Sequence, residues 1–121
     1  MSDAEKLKDA AVAALEDYKA EDIRVLDVRD LTDVTDYMIV SNGTSSLHTR
    51  AVARNMVDDL KKLGHRPLNE EGDGESNDWV LVDYGDVIVH VMMKEARDFY
   101  DLEKFWGEDM QQLVKAARES Q

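Results

Sequence analysis

The stretch Asp78-Trp79-Val80-Leu81-Val82-Asp83-Tyr84-Gly85-Asp86-Val87-Ile88-Val89-His90-Val91-Met92-Met93 decides how this chain folds. Two apolar, β-branched runs flank Tyr84-Gly85-Asp86, and that pattern predicts two strands folded about a tight turn. Directly behind comes Lys94-Glu95-Ala96-Arg97-Asp98-Phe99-Tyr100-Asp101-Leu102-Glu103, where charges and aromatics interleave. The first segment reads as core and the second as a surface attached to it.

Outward from this hairpin, the N-terminal half alternates helix and strand. Ser2-Asp3-Ala4-Glu5 has the spacing of a capping box, and Leu7, Ala11, Ala14, Leu15 and Tyr18 recur at helical period, predicting an amphipathic helix over residues 3–19. Residues 23–28 alternate as a strand. Asp36-Tyr37-Met38-Ile39-Val40-Ser41 has a continuous apolar centre, as a strand buried on both faces would. Asn42-Gly43-Thr44-Ser45-Ser46 then breaks the chain and caps a helix running to Leu63, its stripe formed by Val52, Met56, Leu60 and Leu63, with Gly64 placed to end it. His65 to Leu68 reads as a short extended edge piece, and Asn69 to Asn77 as an acidic loop. Lys94 to Trp106 has helical character with Phe99 and Phe105 turned to the core. Gly107 interrupts, and Met110, Leu113, Val114 and Ala117 sketch a last helix. The order predicts one α/β domain, a mixed-sheet α-β-α sandwich with a C-terminal helical extension: a body over residues 1–107 and a helical tail over 108–121.

The composition narrows the function. Fifteen Lys and Arg stand against 27 Asp and Glu, a formal net charge of −12. So acidic a surface repels phosphate backbones and anionic membranes and favours a basic protein partner, while also serving solubility. No cysteine is present, which rules out disulfides and thiolate chemistry. No apolar run approaches the roughly 18 residues of a membrane span, and the N-terminus lacks a signal-peptide layout, so the expectation is a soluble cytoplasmic protein.

Catalytic parts are sparse. His48, His65 and His90 lie far apart in sequence with no ligand-spaced partner, and a lone strand histidine is more often hydrogen-bonded support than a metal ligand. Gly43-Thr44-Ser45 before a helix could attract an anion, and the layout is like the opening of nucleotidyltransferases. Such enzymes place an Asp-x-Asp pair about ten residues on, where Val52-Ala53-Arg54-Asn55-Met56-Val57 offers no carboxylate. Asp83 and Asp86 are three apart across a turn. A metal-dependent nucleotidyltransferase using Gly43-Thr44-Ser45 and Asp83/Asp86 is therefore the alternative, and a dimeric scaffold built on the last helix a weaker one. Binding is better supplied: six of the eight aromatic residues fall in the last third, at Trp79, Tyr84, Phe99, Tyr100, Phe105 and Trp106. Exposure is expected for Tyr84, Arg97 and Tyr100.

Glu21-Asp22-Ile23 with Val25-Leu26-Asp27-Val28, Thr35-Asp36-Tyr37 with Ser41-Asn42-Gly43-Thr44-Ser45, the stretch Trp79 to Val91, and Arg97-Asp98-Phe99-Tyr100-Asp101-Leu102-Glu103 with Trp106-Gly107 together resemble the ribosomal silencing factor (Iojap-like) family. The resemblance spans about residues 5 to 107. It implies a nucleotidyltransferase-like α/β fold without catalysis or cofactor. It also implies binding to the large ribosomal subunit through a basic ribosomal protein, the universal protein fourteen, so that the small subunit cannot join and translation is repressed when nutrients are short. Homodimers are a further implication. Trp79, Asp83, Tyr84, Gly85, His90, Lys94, Arg97, Tyr100 and Leu102 are then the expected partner-binding residues, with His90 supporting them from behind. The acidic loop 69–77 and the helix from Glu108 onward depart from the motif.

Overall fold

Ser2 begins the first helix as its spacing to Glu5 predicts: in a computed structural model describing residues 2–71 and 78–119, its Oγ accepts the Glu5 N–H at 3.2 Å. Helix α1 (Asp3–Asp17) ends where Lys19 turns to φ 67°, with the Ala20 N–H donating to the Leu15 carbonyl at 2.9 Å and the Lys19 N–H to that of Glu16 at 3.1 Å. This pair of bonds satisfies the last carbonyls, with a lysine where glycine is usual. Strand β1 (Glu21–Asp27) carries an irregularity at Asp22, φ 48°, and β2 (Tyr37–Gly43) follows, buried along its whole length. Helix α2 (Ser46–Lys62) starts on Ser45, whose Oγ accepts the His48 N–H at 3.0 Å, and ends through Gly64 at φ 92°. Leu63, expected on its apolar stripe, falls at this cap and is exposed.

Strands β3 (Asn69–Glu71), β4 (Trp79–Asp83) and β5 (Val87–Met93) complete one sheet of order β1-β2-β5-β4-β3. The β2–β5 pair is parallel, with Tyr37 opposite Val87, and the other three pairs are antiparallel. The hairpin and the central place of β2 are as the sequence predicts. The acidic stretch read as loop differs: its first three residues are the edge strand β3, Asn69 opposite Asp83. Neither its composition nor its period reveals a strand, because the pairing is supplied by the backbone of β4 and an edge position leaves Glu70 in water. Residues 65–68 form no strand but lead into it, the Leu68 N–H donating to the Asp83 carbonyl at 2.7 Å. Residues 72–77 of the expected loop lie outside the described residues.

One face of the sheet holds the main core. Leu7, Ala11, Ala14 and Leu15 of α1 and Val52, Met56, Val57 and Leu60 of α2 pack on Ile39, Val80, Val82, Val89 and Val91. Ala11 and Ala14 are buried in this interface. The Tyr18 hydroxyl donates to Asp59 Oδ2 at 2.8 Å, tying α1 to α2. On the other face, helix α3 (Lys94–Tyr100) packs over β5 and β2, completing the mixed-sheet sandwich.

The C-terminal region departs from expectation. A single helix through Trp106 was the expectation, with the interruption at Gly107; the chain instead breaks at Asp101, φ 48°, whose Oδ1 accepts the Lys104 N–H at 3.4 Å to start a new helix. Aspartate tolerates this left-handed conformation better than most residues. From there α4 (Leu102–Lys104), a π-helical turn (Phe105–Asp109) and α5 (Met110–Glu119) run on, and Gly107 lies inside the π turn. No residue of α5 is buried. Phe99 and Phe105, expected in the core, are exposed.

Candidate protein-binding surface

Strand alternation builds this surface. Val80 and Val82 face α2, so Trp79, Leu81 and Asp83 face the opposite side, and the register sets Trp79 beside Met92, Leu81 beside His90 and Asp83 beside Ile88. Trp79, Leu81 and Ile88 are half-buried there, over a fully buried Met92. The end of β5 then delivers α3 next to Trp79. The Tyr100 ring lies 4.8 Å from the indole at a tilt of 49°, and Phe99 stands edge-on to Tyr100 at 5.0 Å. These are favourable aromatic geometries. Phe99 is 81% exposed and Tyr100 also stands in solvent. With Asp78, Met93, Glu95 and Ala96 they line a hollow of about 270 Å³. Asp78 and Glu95 are the exposed charged residues of its lining, so the aromatic patch has an acidic rim.

His90 supports this corner from below. The Trp79 Nε1–H donates to His90 Nδ1 at 2.9 Å, so the neutral ring carries its proton on Nε2, which has no hydrogen-bond partner among the described residues. Burial depresses its pKa to about 4. At neutral pH His90 is an uncharged acceptor that fixes the indole.

The sequence-predicted residues do not form one surface. Trp79 and Tyr100 meet at the α3 end of the hairpin, where exposed Lys94 begins α3, and Leu102, half-buried, follows α3. Asp83, Tyr84 and Gly85 lie at the other end, a strand length of about 14 Å away. There Asp83 Oδ1 accepts the Gly85 N–H at 2.7 Å and shapes the turn. Tyr84, expected exposed, is 8% exposed, and burial raises its hydroxyl pKa well above the usual range. Its ring belongs to the main core. Arg97, also expected exposed, is 5% exposed. Its Nη1 donates to the Asp22 carbonyl at 2.7 Å and to Asn42 Oδ1 at 3.0 Å, and its Nε to Glu103 Oε1 at 2.7 Å. It ties β1, β2 and the start of the C-terminal helices together. Helical phase explains the reversal, since Arg97 lies on the inner side of α3 while Asp98, Phe99 and Tyr100 face outward. Leu81, Ile88 and Phe99 were missed as surface residues; the period-two alternation with Trp79 was the signal for the first two.

Hydrogen bonds link the Gly43-Thr44-Ser45 turn to the first turn of α2. The Thr44 N–H donates to His48 Nδ1 at 2.9 Å, the His48 N–H goes to Ser45, and the Thr49 hydroxyl donates to the Ser45 carbonyl at 2.7 Å. A Cβ on Gly43 would stand 2.6 Å from Thr49 Cα, so the glycine is explained by the close approach of α2 to β2. Asp83 shapes the hairpin turn, and the Asp86 carbonyl accepts the Asp36 and Tyr37 N–H groups at 3.0 and 3.1 Å.

The chain is thus a mixed five-stranded α/β domain with an aromatic corner at one end of its hairpin. Residues 1–121 match the family described as ribosomal silencing factor during starvation. The chain is similar to the ribosomal silencing factors of Chromobacterium violaceum, 44% identical over 103 residues (85% of this chain, 84% of that one), and of Bacillus subtilis, 43% identical over 98 residues (81% and 82%). A crystal structure of a Chromobacterium violaceum protein superposes with a TM-score of 0.83 at 42% identity, covering 88% of each chain. The chain belongs to the ribosomal silencing factor family.

Proposed function

We propose that this chain represses translation by binding the large ribosomal subunit through a basic ribosomal protein, the universal protein fourteen, and sterically preventing the small subunit from joining when nutrients are limiting. It acts by occupancy, without turnover, in the cytoplasm. The observation that carries this reading is the corner of Trp79, Phe99 and Tyr100 rimmed by Asp78 and Glu95. Exposed aromatics are the residue types that anchor interfaces, and an acidic rim complements a basic partner and discriminates against RNA. The family membership supplies the ribosome as the setting. The body, residues 1–107, makes the contact; the tail, residues 108–121, lies outside it and is available for homodimer formation.

The test is co-sedimentation with isolated large subunits, followed by subunit-joining assays. Saturable sedimentation with large but not small subunits, lost on replacing Phe99 and Tyr100 by alanine, is the expected result. Absence of sedimentation with large subunits refutes the function, and sedimentation unaffected by the double substitution moves the contact elsewhere.

A further inference from the structure

The sheet face that carries α1 and α2 is not fully covered. Beyond α2, over β4 and the edge strand β3, lies a groove of about 240 Å³. Its floor is apolar: Ala53 and Val57 from α2, Val80 and Val82 from β4. Its helical rim carries Arg50, Arg54 and Lys61. None of the three forms an ion pair among the described residues, and the Arg50 Nε–H is closed off from solvent with no hydrogen-bond partner there. Asp58 on the same rim and Glu70 on β3 also line the groove, which leaves one net positive charge in a chain of net −12.

We infer that this groove binds an extended, acidic segment of another protein, with apolar side chains on the Ala53–Val82 floor and carboxylates on Arg50, Arg54 and Lys61. The spacing of the cations selects this occupant. Arg50 and Arg54 are one turn apart, about 6 Å along α2, close to the ~6.8 Å between alternate residues of an extended chain. Lys61 lies ~16 Å from Arg50, a span of about five extended residues. Cations strung out in this way do not converge on a single small anion. A nucleic acid strand would meet the repulsion of the whole acidic surface, whereas a short peptide with few charges meets chiefly the local field. The groove lies on the opposite face of β4 from Trp79, so it is separate from the ribosome-binding corner and both can be occupied at once.

The inference is tested with a fluorescein-labelled hexapeptide alternating glutamate and valine, a matched lysine–valine peptide, and the R54E/K61E variant of the full chain. Both substituted side chains are exposed, and circular dichroism with urea unfolding checks that the variant is folded. Saturable anisotropy with the acidic peptide alone is expected, weakened at least tenfold by R54E/K61E, with amide shifts at Ala53, Val57, Val80 and Val82 but not at Phe99 or Tyr100. Absence of saturable binding overturns the inference, as does equal binding by the variant. Displacement by equimolar inorganic tripolyphosphate also overturns it, making the groove a small-anion site. Shifts confined to Phe99 and Tyr100 overturn it as well, assigning the peptide to the aromatic corner. Large-subunit sedimentation by R54E/K61E reads the proposed function separately.

Discussion

The Trp79 indole N–H donates to His90 Nδ1 at 2.9 Å, and His90 is 4% exposed, so the exposed corner of the molecule rests on a histidine that must stay neutral. Its folded pKa of about 4 lies below the usual 6.5 because burial disfavours the imidazolium. The unfolded chain therefore binds more protons between pH 6.5 and 4. Stability from this group is fully present above pH 6.5 and is lost as pH falls toward 4, by up to about 3 kcal/mol. Urea unfolding of the wild type and His90→Leu at pH 7 and pH 4.5 should show a steeper loss in the wild type. Parallel losses would mean that His90 is not the group responsible.

Arg97 joins three parts of the chain, and removing it leaves the Asn42 amide oxygen and the Glu103 carboxylate without their donor. Arg97→Met should cost about 3 kcal/mol in chemical denaturation. It should also free the C-terminal helices, read as faster proteolysis after Leu102. A variant as stable as the wild type would show that the buried guanidinium is dispensable.

Gly43→Ala places a methyl group against Thr49 backbone at a separation real structures do not tolerate. Either α2 moves off β2 or the turn distorts, at about 2–3 kcal/mol. The thermal midpoint is the readout, and an unchanged midpoint would contradict the close packing described.

Lys19 holds a left-handed conformation, φ 67°, at the end of α1. Lys19→Gly removes the Cβ strain while keeping both capping bonds, and should stabilise by about 1 kcal/mol. Lys19→Val should do the reverse. Matched urea midpoints decide between the two signs.

Phe99 touches little of its own protein, so Phe99→Ala should leave stability within about 0.5 kcal/mol of wild type. As an interface anchor it should contribute about 2 kcal/mol to large-subunit binding, roughly a thirtyfold weaker dissociation constant. Sedimentation titrations read this directly, and a loss below twofold would remove Phe99 from the contact.

The elements of the first half were legible because local signals agreed there: Ser2 and Ser45 at caps, Gly64 past a helix end, and the unbroken apolar run from Tyr37 to Val40 for β2. The site was less legible. Arg97 and Tyr84 are interface-like by residue type, yet a helix phase and a strand end put both inside. Phe99 is core-like by type, yet the same helix phase turns it out. Residue type states what a side chain can do; the rotation of α3 about its axis decided what it does, and seven residues carry too little periodicity to fix that rotation. The break at Asp101 was hidden for a similar reason, since aromatic residues continue at helical spacing on both sides of it.

The parallel pairing of β2 with β5 has a consequence for how the chain is made. Tyr37 meets Val87 about fifty residues later, so nearly three quarters of the polypeptide must be synthesised before β2 gains its second neighbour. Until then β2 can pair only with β1, and one edge of its most apolar run is open. Contacts of such long sequence separation slow folding, and an open apolar edge invites association with other chains. Emergence of the hairpin is therefore the step at which the open edge of β2 is closed.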